Sequence, residues 1–463
     1  MFRLITIILI SIVTIPSKVW AATVMTSTVH EQTLANGLKV IVKEDHRAPI
    51  VTSQIWYKVG SSYESDGNTG ISHALEHMMF KGTEKYGVSK FCEIITAQGG
   101  ICNAFTGRDY TAYFQKLAND RLEIVFQMEA DRMRNLTLLP SEYTKEIKVV
   151  KEERRMRTED DPMALTIEHF YASAYLVASY RNPIIGWMTD LDTLTIEQLR
   201  NWYQQWYSPN NAILVVVGDV EPAAVFALAS KYFGPLKAEN ITPPVLRAEP
   251  MQRGMKRITV KAPAKEPYLV MGYKTPKLDP ANQNDWEPYA LEVLAYILDG
   301  GSSARFSREL IRGKQVAASV DAEYNAFSRL PGMLVLDGSP AKGHTIADLE
   351  LALQTQIARI RTEPVDPAEL QRVQQQIVAK KVFEKDSVFY QAMQIGILET
   401  VGLNWQIADQ YVDRISAVTA EQVQAVAQKY LIDDNLTIAM LDPQPLDSAT
   451  KPVITHGAQN VVY

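Results

Sequence analysis

Two histidines and one glutamate within five residues have the spacing of a metal-dependent hydrolase. His73 and His77 are four residues apart, so on a helix their imidazoles lie one turn apart on the same face. The carboxylate of Glu76 stands beside the second histidine, where it can reach a water molecule on the metal without ligating the metal. This order is the inverted H-x-x-E-H. The pattern predicts a metal site with Glu76 as general base; a chance match is the alternative, and the chain has only seven histidines.

The acidic segment 142–159 is where a third metal ligand is expected. Zinc hydrolases commonly use three protein ligands and leave the fourth position to water. Glu146 and Glu153 are seven residues apart and share a helix face, but about 10.5 Å of axial rise separates them. One metal cannot comfortably take both, so one is expected to ligate and the other to support the site from behind. The alternative is a solvated helix stabilised by charge pairs with its interspersed lysines and arginines.

The sequence predicts strands and helices that position these residues. Alternating patterns predict strands at 37–42 and 51–59 and a hairpin of 100–105 with 111–115 about Gly107-Arg108-Asp109. Helical patterns fill 121–134, 141–157 and 196–207. The helix that carries the histidines is expected to begin at Asn68 or Thr69, which are suitable caps. Strands and helices that do not strictly alternate predict an α+β sandwich with a mostly antiparallel sheet.

The second half of the chain repeats the first at a constant offset of 224 residues. Each copy runs through a predicted helix into a buried strand, so the fold is duplicated. The matched positions include Thr195 with Thr419, Glu197 with Glu421 and Asn211 with Asn435. The metal pattern is not duplicated, because its positions in the second copy read Glu292, Ala295 and Tyr296.

The chain therefore divides into a signal peptide at 1–22, a metal-binding half at 23–238, a linker at 239–256 and a homologous half without a metal site at 257–463. The linker is rich in proline and shows no helical or strand period. At the N-terminus a positive start precedes an apolar run over residues 4–15, too short to span a bilayer, and a small-residue pattern predicts cleavage near Ala21 and Ala22. The mature chain is thus expected in the periplasm or secreted, and an uncleaved anchor is the alternative.

Composition narrows the class further. With 463 residues, 46% of them hydrophobic, and a net charge of −6, the chain is typical of a globular protein of two to four domains and gives no nucleic-acid or membrane-surface signature. Cys92 and Cys102 are expected to stay unpaired as small hydrophobic residues, with a disulfide as the alternative. His30, His46 and His456 lie in polar stretches and are expected to ligate nothing.

Taken together, these residues resemble the pitrilysin/insulinase family of zinc metallopeptidases (inverzincins), which includes exported bacterial members and mitochondrial processing peptidase. The resemblance covers both halves and is carried by 73–77, 146–153, 80–83, 99–106 and 157–162. It implies that His73, His77 and Glu153 hold one Zn²⁺ per chain, that Glu76 is the base and that Glu146 supports the site. It also implies that two sandwich halves enclose a peptide chamber, in which Asn103, Ala104 and Phe105 receive an extended peptide as an added strand.

The second half departs from the family in the residues that grip the substrate. Members that act alone usually place an arginine and, seven residues on, a tyrosine there, whereas Ile311 and Ala318 occupy these positions here. Arg312 could replace the arginine only in a slipped register, and no tyrosine follows it where one is needed. The sequence therefore predicts the metal-bearing subunit of a heteromeric endopeptidase for extended or unfolded peptides, with a second family member supplying the Arg and Tyr. A homodimer and a non-catalytic core or chaperone-like subunit that encloses peptide are the alternatives.

Overall fold

Two α+β halves built to one plan make up the protein. The computed structural model describes residues 29–245, 247–282 and 284–446, so the predicted signal peptide, its cleavage site and His456 lie outside the described residues. The first half consists of β1 (Val29–Thr33), β2 (Lys39–Glu44), β3 (Ile50–Tyr57), α1 (Ile71–Met78), α2 (Lys90–Ala97), β4 (Ile101–Thr106), β5 (Thr111–Ala118), α3 (Leu122–Arg134), α4 (Pro140–Arg154), α5 (Pro162–Ala174), α6 (Met188–Thr193), α7 (Ile196–Trp206), β6 (Ala212–Gly218) and α8 (Pro222–Phe233).

The second half follows the same course with longer helices. It consists of β7 (Lys256–Pro263), β8 (Tyr268–Thr275), α9 (Glu287–Asp299), β9 (Ala317–Glu323), β10 (Gly332–Pro340), α10 (Ile346–Thr362), α11 (Pro367–Glu384), α12 (Val388–Thr400), α13 (Ile407–Ser416), α14 (Ala420–Tyr430) and β11 (Leu436–Gln444). A short π-helical segment occurs in each half, Arg155–Glu159 directly after α4 and Phe306–Gly313 before β9.

Each half contains one mixed sheet in which antiparallel pairs predominate. The strand orders are β1-β2-β6-β3-β5-β4 and β7-β11-β8-β10-β9. The parallel pairs are β2 with β6 and β7 with β11. The two orders therefore correspond strand for strand, except that β1 has no described counterpart in the second sheet. The fold class predicted from the sequence, α+β with two homologous halves, is confirmed.

The repeat extends to individual hydrogen bonds. Helices α7 and α14 both begin with a capping box, in which Thr195 pairs with Gln198 and Thr419 with Gln422. Both of these pairs keep the offset of 224 residues seen in the sequence. Two further bonds at that offset close the turn before the last strand of each half: Asn211 Nδ2 to Trp206 O (3.0 Å) and Asn435 Nδ2 to Tyr430 O (3.1 Å).

In each half, one helix packs against the sheet of the other half. Phe170 and Ala174 of α5 are buried against the second sheet, and Met393 of α12 is buried against the first. Gly396 of α12 packs directly against the Trp56 ring. A Cβ atom added to this glycine would lie only 2.1 Å from Trp56 Cε2. Because burial of apolar surface stabilises both exchanges, the two halves form one body.

The segment predicted as a linker has no helix or strand among its described residues between Gly234 and Met255, yet it is tied down. The carboxylate of Glu249 accepts hydrogen bonds from the backbone N–H groups of Leu176, Val177 and Ala178 and from Lys274. The segment therefore joins the end of α5 to the second sheet.

The structure corrects two local predictions. Helix α1 begins at Ile71 after Gly70, not at Asn68 or Thr69, and the φ of Gly70 is 84°, a conformation that favours glycine. Cys92 and Cys102 form a disulfide where the sequence predicts free thiols, because α2 folds back onto β4 and brings the two Cα atoms to 5.7 Å. Within the described residues, no helix has the length and apolar character needed to cross a membrane.

Candidate metal centre and active site

Helix α1 is fixed at its N-terminus by two acidic side chains. The carboxylate of Glu64 accepts hydrogen bonds from the N–H groups of Gly70 (2.8 Å) and Ser72 (2.9 Å), two donors that a helix start leaves without an intrahelical partner. Asp190 accepts from the N–H (3.1 Å) and hydroxyl (2.6 Å) of Thr69. The two carboxylates therefore hold the helix start, and with it the rotation of α1 about its axis.

The apolar face of α1 enters the core of the first half, so two histidine side chains on the other face turn toward α4. Ile71, Leu75 and Met78 are at most 2% exposed. His73 and His77 lie on the opposite face with ring centroids 4.8 Å apart. The spacing seen in the sequence therefore becomes a pair of neighbouring imidazoles.

Helix α4 brings the third candidate ligand to these imidazoles. Glu153 Oε2 lies 3.2 Å from His77 Nε2 and 3.7 Å from His73 Nε2. One ligand atom from each of the three residues falls within 4.8 Å of the other two. The three side chains are 12 to 21% exposed, so the cluster is shielded from bulk solvent but not closed.

The protonation states suit a cation. Burial and the neighbouring His77 lower the pKa of His73 to about 4, which leaves its imidazole neutral at pH 7. His73 Nδ1 is buried without a hydrogen-bond partner. Burial opposes the charge of Glu153, but the hydrogen bond from His77 and the nearby positive charge of Arg157 outweigh it and lower the pKa of Glu153 to about 2. A neutral imidazole and an ionised carboxylate are both ready to ligate.

Glu146 supports the centre from the far side of His77. Its Oε1 lies 2.9 Å from His77 Nδ1, and its Oε2 lies 2.5 Å from Lys81 Nζ. Burial works against a charge on His77, but its bonds to Glu146 and Glu153 raise the pKa of His77 to about 9. A carboxylate that accepts the Nδ1 proton leaves Nε2 as the ligating atom. Of the two acidic residues on the shared helix face, Glu153 thus meets the imidazole Nε2 atoms and Glu146 lies behind them.

Glu76 lies beside the cluster and is oriented by strand β4. Thr106 Oγ1 donates a hydrogen bond of 2.5 Å to Glu76 Oε2. Burial raises the pKa of Glu76 above the usual carboxylate value. The other carboxylate oxygen, Oε1, has no described hydrogen-bond donor. Glu76 therefore offers one oxygen that is held in place and one that can take a proton.

The predicted substrate strand lies on an open edge. Strand β4 is the last in its sheet and pairs with β5 alone among the described strands. Asn103 is exposed, and Ala104 and Phe105 are half-buried. The disulfide from Cys102 to Cys92 ties the start of this edge to α2. A further strand could pair with β4 next to Thr106 and Glu76.

At the corresponding place in the second half, α9 and α11 hold no such cluster. Glu292 accepts a hydrogen bond from the hydroxyl of Tyr411, and Lys380 Nζ donates to the hydroxyl of Tyr296 at 3.1 Å. Ile311 packs against the apolar core, and Ala318 is exposed on the edge strand β9.

Several contacts of this centre were not predicted from the sequence. Thr106 and Lys81 lie in segments that carry the family resemblance, but nothing in their local sequence indicates that they contact Glu76 and Glu146. A second group of potential ligands, Glu44, His46 and Glu221, lies on the partly exposed surface. There His46 Nδ1 lies 2.6 Å from Asp219 Oδ1, so its ring is already engaged in an ion pair.

Comparison with known proteins gives the family. Residues 39–187 match a family model described as Insulinase (Peptidase family M16), and residues 193–377 match one described as Peptidase M16 inactive domain. A zinc protease PqqE of Helicobacter pylori is 35% identical over 294 residues, which span 62% of this chain and 65% of that relative, just under two thirds of its length. A probable mitochondrial-processing peptidase subunit beta of Arabidopsis thaliana is 26% identical, covering 89% of this chain and 78% of the relative.

Among solved structures, that of a protease from Helicobacter pylori is similar, with a TM-score of 0.85 and 27% sequence identity. The match covers 90% of this chain and 100% of that chain. The similarity therefore includes both halves of the fold and not the metal-bearing half alone.

Proposed function

Because this chain belongs to the insulinase family of peptidases, peptidase family M16, we propose that it is a zinc-dependent endopeptidase that hydrolyses extended or unfolded peptides. The observation that carries the proposal is the convergence of His73, His77 and Glu153 within 4.8 Å, with Glu76 at their side. Two imidazoles and one carboxylate are a ligand set typical of catalytic zinc, which keeps a further position open.

The residues present fit a zinc ion. His73, His77 and Glu153 would hold it, because the Nε2 atoms of two imidazoles meet the ionised carboxylate of Glu153 at this point. When bound, zinc supplies a Lewis acid that polarises a carbonyl group and makes water a better nucleophile at neutral pH. Glu146 fixes the ring of His77 through Nδ1 and so keeps its Nε2 directed at Glu153.

The proton transfers belong to Glu76. Because Thr106 holds Oε2, the free Oε1 accepts the proton of the attacking water and then delivers it to the leaving amine. A raised pKa brings the carboxylic acid closer to the working pH, which helps the second of these transfers. Partial burial keeps bulk water away from the reacting atoms.

The open edge of β4 supports the choice of substrate. A peptide that pairs with β4 contributes mainly backbone N–H and C=O groups, so folded chains are excluded and few side chains are read. Asn103, Ala104 and Phe105 lie on this edge and would border the added strand. We therefore propose that extended conformation, more than a tight sequence motif, selects the substrate.

Export to the periplasm, or secretion, is part of the proposal. It rests on the signal-peptide pattern at 1–22, and the disulfide between Cys92 and Cys102 supports it, because disulfides persist in oxidising compartments.

We further propose that the active form is a heteromer. The half opposite the metal centre carries Ile311 and Ala318 where the resemblance calls for an arginine and a tyrosine, so a second family member would supply these contacts to the substrate carbonyl. The Arabidopsis thaliana relative is itself described as a subunit, which supports assembly with a partner. A homodimer would leave these contacts missing in both copies.

The test is an assay of the mature chain on fluorescence-quenched peptides, with and without a chelator and with and without a second family member that carries the arginine and the tyrosine. We expect cleavage that the chelator abolishes and that the partner accelerates. The variant Glu76→Gln should lose cleavage and keep its zinc. Peptide binding without any cleavage, in every combination, would instead favour a chaperone-like subunit, and equal rates with and without the partner would refute the heteromer.

A further inference from the structure

A cation without a counter-ion lies on the hairpin that carries Thr106. Arg108 occupies the turn between β4 and β5, two residues after Thr106, or about 7 Å along the backbone. Its Nε is buried and has no hydrogen-bond partner. No described carboxylate forms an ion pair with its guanidinium group. An uncompensated cation in a shielded place is costly, so this arrangement needs an explanation.

The neighbouring carboxylate is already engaged elsewhere. Asp109 accepts hydrogen bonds from Ser62 Oγ (2.7 Å), the hydroxyl of Tyr180 and the backbone N–H of Arg329 (3.0 Å). This network joins the hairpin turn to the second half of the molecule. Asp109 therefore cannot serve as the partner of Arg108.

Two aromatic rings hold the guanidinium group in place. Its central carbon lies 4.1 Å from the ring centroid of Tyr171 and 5.3 Å from that of Tyr180. Stacking on ring faces restrains the orientation of the group while leaving edge N–H donors for an anion. An arginine preorganised in this way suits planar carboxylates.

Helix α5 connects this cation to the metal centre. The helix follows Glu153 after the short π-helical segment and reaches Arg108 at Tyr171. Met163 and Ile167 precede Tyr171 at intervals of four residues and are 47% and 36% exposed. These three side chains lie along one face of the helix. Arg108 thus contacts one end of an apolar stripe on α5.

We propose that Arg108 is a specificity-determining residue that binds a carboxylate of the peptide substrate, a few residues from the bond that is cut. The carboxylate can belong to an aspartate or glutamate side chain or to the C-terminus of the peptide, because both present the same planar anion. This inference rests on the proposed peptidase function, since it places the substrate on β4. A purely structural Arg108, which only braces the turn against Tyr171, would affect stability but would not discriminate between substrates.

The test compares matched quenched peptides that carry Glu or Gln at one position, moved stepwise through four residues on either side of the cleaved bond. A second series compares a free C-terminal carboxylate with its amide and so distinguishes the two sources of the anion. For the wild-type protein we expect kcat/KM to favour the anionic peptide by about tenfold at one position. In Arg108→Gln this ratio should fall to about one, and Arg108→Lys should retain part of it.

Arg121→Gln is the matched control, because it removes the same charge from a side chain that is 52% exposed near the other end of β5. It should leave the Glu/Gln ratio unchanged. The proposal is overturned if the wild-type protein shows no anionic preference at any position, or if Arg108→Gln keeps the preference.

Binding of the same peptides to Glu76→Gln, followed by fluorescence anisotropy, separates this inference from the peptidase itself. An Arg108-dependent preference in binding without any cleavage by the wild-type protein would refute the peptidase and support the carboxylate site. Cleavage by the wild-type protein without that preference would support the peptidase and refute the carboxylate site.

Discussion

The two halves share a fold, but the polar side chains between α1 and α4 are arranged differently from those at the corresponding place between α9 and α11. Between α1 and α4 the first half gathers two imidazoles and an acidic side chain and leaves His73 Nδ1 without a partner. Between α9 and α11 the second half places lysine side chains near its own acid: Lys380 donates to Tyr296, and Lys381 lies 5.1 Å from the ring centroid of Tyr411, which donates to Glu292.

The charged groups at these two places differ in their suitability for binding a metal ion. In the second half, the cations near Glu292 are the ammonium groups of Lys380 and Lys381. In the first half, the imidazole of His73 is neutral, and the carboxylate of Glu153 meets the Nε2 atoms of both histidines, which is a donor set that suits an external cation. The edge strands of the two sheets also differ. A disulfide links β4 to α2, whereas β9 has no cysteine near it. Duplication preserved the packing and changed the chemistry.

Loss of a proposed ligand should have the largest effect. His77→Ala removes one ligand and the bonds to Glu146 and Glu153, so zinc content should fall to near zero and cleavage by at least about a thousandfold. Glu292→Gln in the second half is the matched control and should keep both, since an amide oxygen can still accept from Tyr411. Metal analysis and peptide cleavage measure the two effects. Loss of zinc or activity in the control would contradict the assignment of chemistry to one half.

Removal of the disulfide should destabilise the protein through its first half. Cys92→Ser combined with Cys102→Ser releases a crosslink over ten residues, which is worth about 2–3 kcal/mol in the chain-entropy account. We expect a lower unfolding temperature and slower peptide cleavage with unchanged zinc content, because β4 loses its brace. Thermal unfolding with and without reductant measures this. A wild-type protein that is insensitive to reductant would show that the crosslink does not contribute.

Glu146 should act on metal affinity. Glu146→Gln weakens the acceptor of His77 Nδ1, so zinc affinity should fall by about 10–100-fold while saturating zinc restores most cleavage. Glu152→Gln on the same helix is the control, since that side chain is 62% exposed and pairs with Arg155. Competition with a chelator measures the affinities. Equal affinities in the two variants would remove Glu146 from the site.

The smallest effect concerns pH in the zinc-free protein. The folded-state pKa of His77 is raised to about 9, so its ion pairs contribute stability that is fully present below about pH 6.5 and is lost as pH rises through about 9. We expect the chelated protein to lose at most about 3 kcal/mol of stability over that window, reduced by solvent screening of these partly exposed pairs. Thermal unfolding at pH 6 and pH 9.5 should show the loss in wild type and not in His77→Ala. The same slope in both would assign the effect to other groups.

Local patterns in the sequence predicted the parts of the site that lie on single helices. His73, Glu76 and His77 are neighbours on one helix face, and the acidic residues of α4 share another, so helical periodicity alone brought them into the hypothesis. The constant offset likewise predicted the duplicated fold. The duplicated fold is confirmed, and the site residues could be proposed because each prediction depends on contacts within one element or on the repetition of a pattern.

Contacts between distant segments were missed. Thr106 reaches Glu76 across 30 residues and Asp190 reaches Thr69 across 121, and neither can be read from local spacing. The predicted start of α1 was wrong because Glu64, outside the helix, satisfies its first N–H groups. The pairing of Cys92 with Cys102 was missed for the same reason, since the direction of the chain after α2 decides whether the two residues meet.

The central claim is that the chain carries one metal centre, in the first half. Crystals of the mature protein measured on both sides of the zinc absorption edge test it directly. We expect one anomalous peak per chain, bounded by His73, His77 and Glu153. A peak between α9 and α11, or no peak at the first site in protein that cleaves peptides, would contradict it.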